Sequence, residues 1–169
     1  MKVALYIGDH AKDGFLAQLG WWITRFAQRG EFQSVTHVEA ILDDLKDGLI
    51  DNVLIASASA RDGRMVRTKR ARLTPGNWRI IDVPAWDVSL SKQWFAEHDG
   101  AKYDWLGAAA TFFQFAPKPG RYFCNQAVGA PFLIDAGLFS PAEFSVICLS
   151  MPGSKDVTSS FFFIDNPTF

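Results

Sequence analysis

A chain of 169 residues, 49% of them hydrophobic, has the length and composition of one globular domain, so residues 1–169 are predicted to form a single domain with its own core. Its 17 Lys and Arg residues nearly balance 18 Asp and Glu residues, and the net charge of -1 excludes a global attraction to nucleic acid or to an anionic membrane. Two cysteines are too few for the disulfide framework of a small secreted protein, which favours a reduced, cytoplasmic protein, with one disulfide between them as the alternative.

The first elements predicted along the chain are a short strand and a helix. Residues 2–7 form an apolar run that indicates a buried strand and is too short for a signal peptide. Asp13 is placed to cap a helix over residues 14–29, because apolar residues recur there at helical spacing. Trp21 and Trp22 are adjacent, so their side chains cannot point in the same direction. For the one that lies outside the core stripe, packing under a loop is favoured over a place in the wall of a substrate groove. No apolar run in the sequence approaches the ~20 residues of a membrane span.

A strand predicted over residues 36–42 carries the first chemically interesting side chains. Side chains alternate along a strand, so His37, Glu39 and Ile41 share one face. Short strands joined by turn sequences predict a small antiparallel sheet or barrel, and this sheet packed on the predicted helices gives an α+β fold. The further strands are expected over residues 53–58, 64–68 and 78–83.

Six basic residues fall in a short stretch of the predicted sheet. A patch for an acidic ligand is one interpretation, and the solvated face of an edge hairpin, where charge prevents edge-to-edge pairing, is the other. The second is favoured because the charges are not interleaved with the aromatic residues that single-strand binders use for stacking. The six are Arg61, Arg64, Arg67, Lys69, Arg70 and Arg72.

The second half of the chain is predicted to place a cysteine at the start of a helix. Ser89 is placed to cap an earlier helix that ends near His98, and an apolar segment over residues 108–116 precedes a break rich in Pro and Gly. Cys124 then opens an apolar helical segment, where the N–H groups of the first turn and the positive end of the helix dipole stabilise a thiolate. Cys148 lies in an apolar stretch and is predicted to be an inert core thiol.

The remaining features concern turns, the tail and metals. Ser140 and Pro141 are interpreted as a turn after the cysteine helix. The apolar residues 160–164 are expected to dock on the body of the protein or on a partner. The three histidines show no metal-ligand spacing with one another or with the cysteines, so no metal site and no cofactor are expected.

The chain contains the three groups that a cysteine hydrolase needs. Such an enzyme uses a thiolate nucleophile, an imidazole that pairs with it and later protonates the leaving group, and a polar group that orients the imidazole. Cys124, His37 and Glu39 are the residues that can supply them. Because a lone Cys and a lone His occur in most proteins of this size, the residues alone favour a structural role over a catalytic one.

Several segments match a known family in their residues and in their order along the chain. They are the early helix with Trp21 and Trp22, the strand at residues 36–39, and residues 57–63, 101–107, 122–124 and 140–141. Together they resemble the circularly permuted branch of the NlpC-type, papain-like cysteine hydrolases, the YiiX/YebB-like proteins. In ordinary members the cysteine helix precedes the histidine strand, whereas here His37 precedes Cys124, as in the permuted branch.

The resemblance implies a papain-like α+β fold and a role for each matched residue. Cys124 would be the nucleophile, His37 the general base and acid, and Glu39 the residue that orients the imidazole. In several papain-like relatives the orienting residue sits on the strand after the histidine, so Ser57 or Ser59 is the alternative to Glu39. The backbone N–H of Cys124 is an expected oxyanion donor. Weaker candidates for contacts with the substrate or the oxyanion are Tyr103, Gln126 and Ser57.

The same resemblance implies a thiol hydrolase of amide or ester bonds that acts through an acyl-enzyme. The implied substrates are peptidoglycan stem peptides, small acyl-amino acid amides or lipid amides. The alternative is a catalytically silent member of the same fold that binds a cell-wall or lipid fragment, or serves as a structural component of a phage-like particle. In a third interpretation Cys124 is a packing thiol and His37 a core histidine.

Overall fold

A computed structural model describes residues 1–8, 34–45, 50–110 and 119–162 of the chain. Three predicted elements lie wholly or partly outside these residues: the helix over residues 14–29 with Trp21 and Trp22, the apolar segment over residues 108–116, and the tail over residues 160–164. In the described part of the chain helices and strands are mixed, which confirms the predicted α+β class.

The centre of the fold is an open antiparallel sheet. Its six described strands lie in the order β4-β3-β2-β1-β5-β6, with antiparallel pairing between all neighbours. Of the two predicted forms, sheet and barrel, the structure has the sheet. The strands are β1 Lys2–Tyr6, β2 His37–Ile41, β3 Val53–Ser59, β4 Met65–Ala71, β5 Trp78–Asp82 and β6 Lys155–Asp156.

The described helices are mostly short and follow the first five strands in the chain. None of those within the described ranges has the length and apolar character that a membrane crossing requires. Two 3-10 turns, Ala130–Phe132 and Ala136–Leu138, follow the helix that begins at Cys124. The helices are α1 Val88–Glu97, α2 Trp105–Ala110, α3 Cys124–Gly129, α4 Pro141–Ser150 and α5 Thr158–Phe162.

Two helix starts differ from the predictions. Asp87, and not Ser89, is the N-cap of α1, because its carboxylate accepts a hydrogen bond from the Ser89 N–H at 2.7 Å. Ser140 and Pro141 begin α4 and do not mark a mere turn. The Ser140 hydroxyl accepts from the Glu143 N–H, and the Glu143 carboxylate accepts from the Ser140 N–H at 2.7 Å, which is a capping box. Proline suits the first helical position because its missing N–H would have had no intrahelical acceptor.

The two faces of the sheet belong to different core clusters. On the first face Ala40 of β2 packs in a cluster with Val128 of α3. On the second face Ile41 of β2 lies in a separate apolar cluster. Alternation along β2 therefore assigns His37 and Glu39 to the second face, opposite the one that α3 covers.

The ladder between β2 and β3 ends early, and this position matters for the site. Ala40 pairs with Ala56, but the pairing between β2 and β3 does not continue from there toward His37 in β2 and Ser59 in β3. Helix α3 packs against both strands. A side chain at the start of α3 can therefore meet the start of β2, even though His37 belongs to the opposite face.

Candidate functional site

The imidazole of His37 and the carboxylate of Glu39 meet at the start of β2. His37 and Glu39 are two residues apart on one face of the strand, and His37 Nε2 lies 2.8 Å from Glu39 Oε1. The Glu39 side chain is 2% exposed and the His37 side chain is 23% exposed. Since Nε2 is engaged by the carboxylate, Nδ1 is the ring nitrogen left to serve another partner.

Arg67 of β4 is the second partner of Glu39. Its Nη1 donates to Glu39 Oε2 at 2.8 Å and its Nη2 donates to Oε1, which makes a bidentate pair. Arg67 lies opposite Ser57 of β3 in the ladder, so its long side chain crosses β3 to reach β2. With only 8% of Arg67 exposed, this is a buried ion pair. The carboxylate of Glu39 is thus held between two cationic partners, which offsets the cost of burying it.

The chain of charges continues to the turn between β3 and β4. Arg67 Nε and Nη2 donate to Asp62 Oδ2 at 3.0 and 2.8 Å, and Lys69 Nζ donates to the same oxygen at 2.6 Å. Burial opposes the ionisation of Asp62, but Lys69 and Arg67 outweigh it and hold the pKa of Asp62 at about 2. The five residues from His37 through Glu39, Arg67 and Asp62 to Lys69 therefore alternate in sign when His37 is protonated.

The environment favours a protonated His37. Burial is the largest single influence and disfavours the imidazolium, but the Glu39 carboxylate and a side-chain hydrogen bond with Cys124 together outweigh it, and the pKa of His37 rises from 6.5 to about 9. Burial also opposes the ionisation of Glu39, yet His37 and Arg67 hold the pKa of Glu39 below its usual range. At neutral pH the pair is an imidazolium and a carboxylate.

Cys124 is the first residue of α3, and its thiol meets two polar groups. One is His37, whose pKa Cys124 helps to raise. The other is Asn125, whose Oδ1 lies 3.6 Å from the sulfur. The Asn125 amide is fixed because its Nδ2 donates to the carbonyl oxygens of Ala136 and Phe139 at 3.1 and 2.6 Å. Cys124 is 4% exposed, so the sulfur is nearly enclosed.

Tyr103 is tied to the segment that leads into α3. A parallel bridge joins Tyr103 to Tyr122, two residues before Cys124, and so ties the tyrosine to the start of α3. Burial and then the negative charge that Cys124 and Asp104 can carry raise the pKa of the Tyr103 phenol. The phenol therefore keeps its proton and can act as a hydrogen-bond donor.

The two serines of β3 have other partners. The Ser57 hydroxyl is fully buried and donates to the Val38 carbonyl oxygen at 2.7 Å. The Ser59 hydroxyl oxygen accepts from the backbone N–H groups of Arg61 and Asp62 at 3.2 and 3.1 Å. The structure therefore brings Glu39 to the imidazole and commits Ser57 and Ser59 to the backbone, which leaves Ser57 poorly placed for a substrate or oxyanion contact.

Gln126 of α3 occupies a less ordinary position. Its side-chain oxygen Oε1 is buried and has no hydrogen-bond partner among the described residues. A buried acceptor without a donor is costly, and such atoms are uncommon in folded proteins. Gln126 therefore stays a candidate for a polar contact near Cys124, on a different ground from the resemblance that first suggested it.

An open cleft of about 350 Å³ lies against the His37 side of this arrangement. It runs along the second face of the sheet and is bounded by the β3–β4 hairpin on one side and by β1 and β5 on the other. His37 and Tyr103 line it, whereas Cys124 is not among the described lining residues. Other lining residues are Tyr6, Ser59, Asp62, Arg67, Lys69 and Trp78.

The second cysteine, Cys148, is not among the side chains that form this site. Cys148 of α4 has no exposed surface, and burial raises the pKa of its thiol. Both cysteines are reduced. In the described ranges of the chain, no group of three His, Cys, Asp or Glu side chains is arranged to hold a metal ion.

The residue that sequence reasoning missed is Arg67. It belongs to the basic run that predicts a solvated edge, and β4 is an outer strand of the described sheet, but Arg67 itself is buried. The sequence contains a signal for this pair, because Glu39 is a lone carboxylate on a strand that is predicted to lie in the core. A buried carboxylate needs a cation or several donors, and the neighbouring hairpin offered Arg67 and Lys69 on one face.

The arrangement places an imidazolium against a buried carboxylate, and Cys124 influences the pKa values of this imidazole and of the Tyr103 phenol. Such an arrangement can activate a sulfur nucleophile and deliver a proton to a leaving group. Comparison of the chain with protein-family profiles, with curated proteins and with solved structures found no match in any of the three.

Proposed function

We propose that this protein is a thiol hydrolase of amide or ester bonds, with the architecture of the circularly permuted, NlpC-type branch of the papain-like cysteine hydrolases. The observation that carries the proposal is the 2.8 Å contact of His37 with Glu39, together with the influence of Cys124 on the raised pKa of His37. Two further points support it. The histidine strand precedes the cysteine helix in the chain, and that helix packs against the strand.

The first half of the reaction transfers the acyl group to sulfur. The Cys124 thiolate attacks the substrate carbonyl carbon, so that a C–S bond forms and the carbonyl oxygen becomes an oxyanion. The backbone N–H of Cys124, which has no intrahelical acceptor at the first position of α3, and the Tyr103 hydroxyl are the proposed donors to this oxyanion. As the C–N or C–O bond breaks, imidazolium His37 gives its proton to the departing amine or alcohol.

The second half regenerates the enzyme. Neutral His37 takes a proton from a water molecule, whose oxygen attacks the thioester carbon. The C–S bond then breaks with its electron pair on sulfur, which restores the thiolate beside imidazolium His37 and releases the carboxylic acid. Glu39 holds the ring through Nε2 in both halves, so Nδ1 faces the reacting atoms throughout.

Selective alkylation tests whether Cys124 is the reactive thiol. Iodoacetamide at about pH 6, followed by peptide mapping with mass spectrometry, is expected to modify Cys124 at least about tenfold faster than Cys148, because the imidazolium stabilises the first thiolate and burial suppresses the second. His37→Gln should remove most of this preference. Equal rates at the two cysteines, or a preference for Cys148, would contradict the proposal.

One observation favours a second candidate, a catalytically silent member of the same fold that binds its ligand without cleaving it. Cys124 is 4% exposed, and its sulfur lies within hydrogen-bond reach of Asn125 Oδ1, which can accept from the S–H group. The alkylation experiment separates the two candidates. A binding protein would retain the cleft while Cys124 stays as unreactive as Cys148.

A further inference from the structure

Asp62 is the residue through which the turn between β3 and β4 reaches the site. The turn fixes its backbone, because the Ser59 hydroxyl oxygen accepts from the N–H groups of Arg61 and Asp62 at 3.2 and 3.1 Å, and Gly63 has a left-handed conformation with φ of 70°. Glycine adopts this conformation without strain, so the Asp-Gly pair suits the turn. The Asp62 carboxylate is thereby held against Arg67, although 37% of the Asp62 side chain is exposed.

Two carboxylates hold the Arg67 guanidinium from two of its edges. Nη1 and Nη2 donate to the oxygens of Glu39, and Nε and Nη2 donate to Asp62 Oδ2 at 3.0 and 2.8 Å. All three nitrogens are therefore engaged. Because the guanidinium is planar and rigid, fixing the edge that faces Asp62 also fixes the edge that faces Glu39. The position of the Glu39 carboxylate therefore depends in part on a side chain of the turn.

Arg67 and His37 share one oxygen of Glu39. Arg67 Nη2 donates to Oε1, and His37 Nε2 lies 2.8 Å from the same atom. The guanidinium and the imidazolium are thus close neighbours of like charge, which disfavours the protonated ring. The negative charge of Asp62 on the far edge of Arg67 offsets this repulsion. Lys69, whose Nζ lies 2.6 Å from Asp62 Oδ2, offsets the charge of Asp62 in turn.

Other ionisable groups also face this set of side chains from several elements. Among the described residues, those that line the cleft or influence the pKa of His37 are Cys124, Tyr103, Arg61, and Arg72 with its partner Asp51. They stay in place when Asp62 or Lys69 is substituted. A change in the titration of His37 can therefore be assigned to the substituted charge.

We propose that Asp62 is a positioning residue for the pair of His37 and Glu39: through Arg67 it holds Glu39 against the ring and favours the ring proton, while Lys69 acts in the opposite direction. The inference rests on the proposed function, because it treats this pair as part of a catalytic site. It extends that site to the β3–β4 turn, three side-chain contacts away from the imidazole.

An NMR titration of the His37 ring from about pH 6 to 10.5 tests the inference without a substrate. The chain has three histidines, so the His37 signals are identified by their absence in His37→Gln. Asp62→Asn should lower the midpoint of the titration by about half a pH unit, the size expected for a partly exposed charge that solvent screens. Lys69→Met should raise the midpoint by a smaller amount, and the double variant should titrate close to the wild type.

Asp43→Asn is the matched control. Asp43 pairs with Arg70 of the same strand at 3.1 Å, and Arg70 lies on the other face of the sheet from Lys69 because side chains alternate along a strand. The control therefore removes an equal charge without touching the contacts of Arg67 with its two carboxylates. A merely structural role for Asp62 would lower stability in Asp62→Asn and leave the midpoint of the His37 titration in place.

The outcomes are distinguishable. An unchanged midpoint in Asp62→Asn, an equal fall in Asp43→Asn, or shifts of the same sign in Asp62→Asn and Lys69→Met would overturn the inference. If Asp62→Asn does not fold, Lys69→Met decides alone, because a midpoint equal to or below that of the wild type contradicts the proposed opposition. These results leave thiol hydrolysis standing, which instead fails if Cys124 reacts no faster than Cys148 with iodoacetamide.

Discussion

Replacing Glu39 by Gln tests whether the buried carboxylate is what keeps His37 protonated. The substitution keeps the size of the side chain and one acceptor oxygen for Arg67, but it removes the negative charge 2.8 Å from the imidazole. Burial then remains as the dominant influence on the ring, and Arg67 keeps Asp62 as its one carboxylate partner. The pKa of His37 is expected to fall from about 9 to below its ordinary 6.5.

The size of the effect follows from linkage between protonation and folding. A rise in the pKa of His37 from 6.5 in the unfolded chain to about 9 in the folded protein corresponds to about 3 kcal/mol of stability. The folded state binds the extra proton between these two values, so the free energy of unfolding must fall as pH rises. The contribution is complete below pH 6.5 and is lost as pH passes through about 9.

Urea unfolding, followed by tryptophan fluorescence at several pH values from about 6 to 9.5, measures this contribution. The wild-type profile should fall by up to about 3 kcal/mol relative to that of His37→Gln, which lacks the titrating group. In Glu39→Gln the fall should disappear, and the His37 ring signals in an NMR titration should move at lower pH. Parallel profiles for the wild type and His37→Gln would refute the argument, because they would show that the ring does not gain a proton on folding.

Two further substitutions address the neighbours of this pair. Arg67→Met should lower the free energy of unfolding by about 3–5 kcal/mol, because it leaves Glu39 buried with one cationic partner fewer. Arg67→Lys should lower it less, since this variant keeps the charge but loses the bidentate geometry. A urea midpoint for Arg67→Met equal to that of the wild type would contradict the account of the buried network. Ser57→Ala should cost about 1 kcal/mol through the lost hydrogen bond to Val38 and should leave the rate of Cys124 alkylation unchanged, whereas a slowed rate would assign the orienting role to Ser57 and not to Glu39.

Five of the six described strands could be predicted from the sequence because their signals are local, whereas the two-residue β6 was not predicted. Alternation and β-branched residues locate β1, β2, β3 and β5 to within one or two residues at each end, and the prediction of β4 stopped three residues early because a run of charges resembles a turn. Helix starts were less secure for a related reason. Asp87 and Ser89 are both good N-caps, and which one caps α1 depends on the exit from the preceding turn.

The contact between His37 and Glu39 could also be predicted, since two residues on one face of a strand must lie close together. Their contact with Arg67 could not, because it depends on strand order and on register. Arg67 reaches Glu39 only because β3 lies between β4 and β2 and places Arg67 opposite Ser57. The meeting of Cys124 with His37 likewise depends on the early end of the β2–β3 ladder, which local pattern does not reveal.

The same contacts bear on how one imidazole can serve as acid and then as base. In the proposed reaction His37 must hold a proton before the leaving group departs and must lack one when water is activated. Both the hydrogen bond to Cys124 and the negative charge on its sulfur contribute to the raised pKa of His37. Formation of the thioester removes both contributions while Glu39 and the burial of the ring remain. The pKa of His37 should therefore fall when the sulfur is acylated and recover when the thiolate is released, so the covalent state of Cys124 itself sets the protonation that each half of the reaction requires.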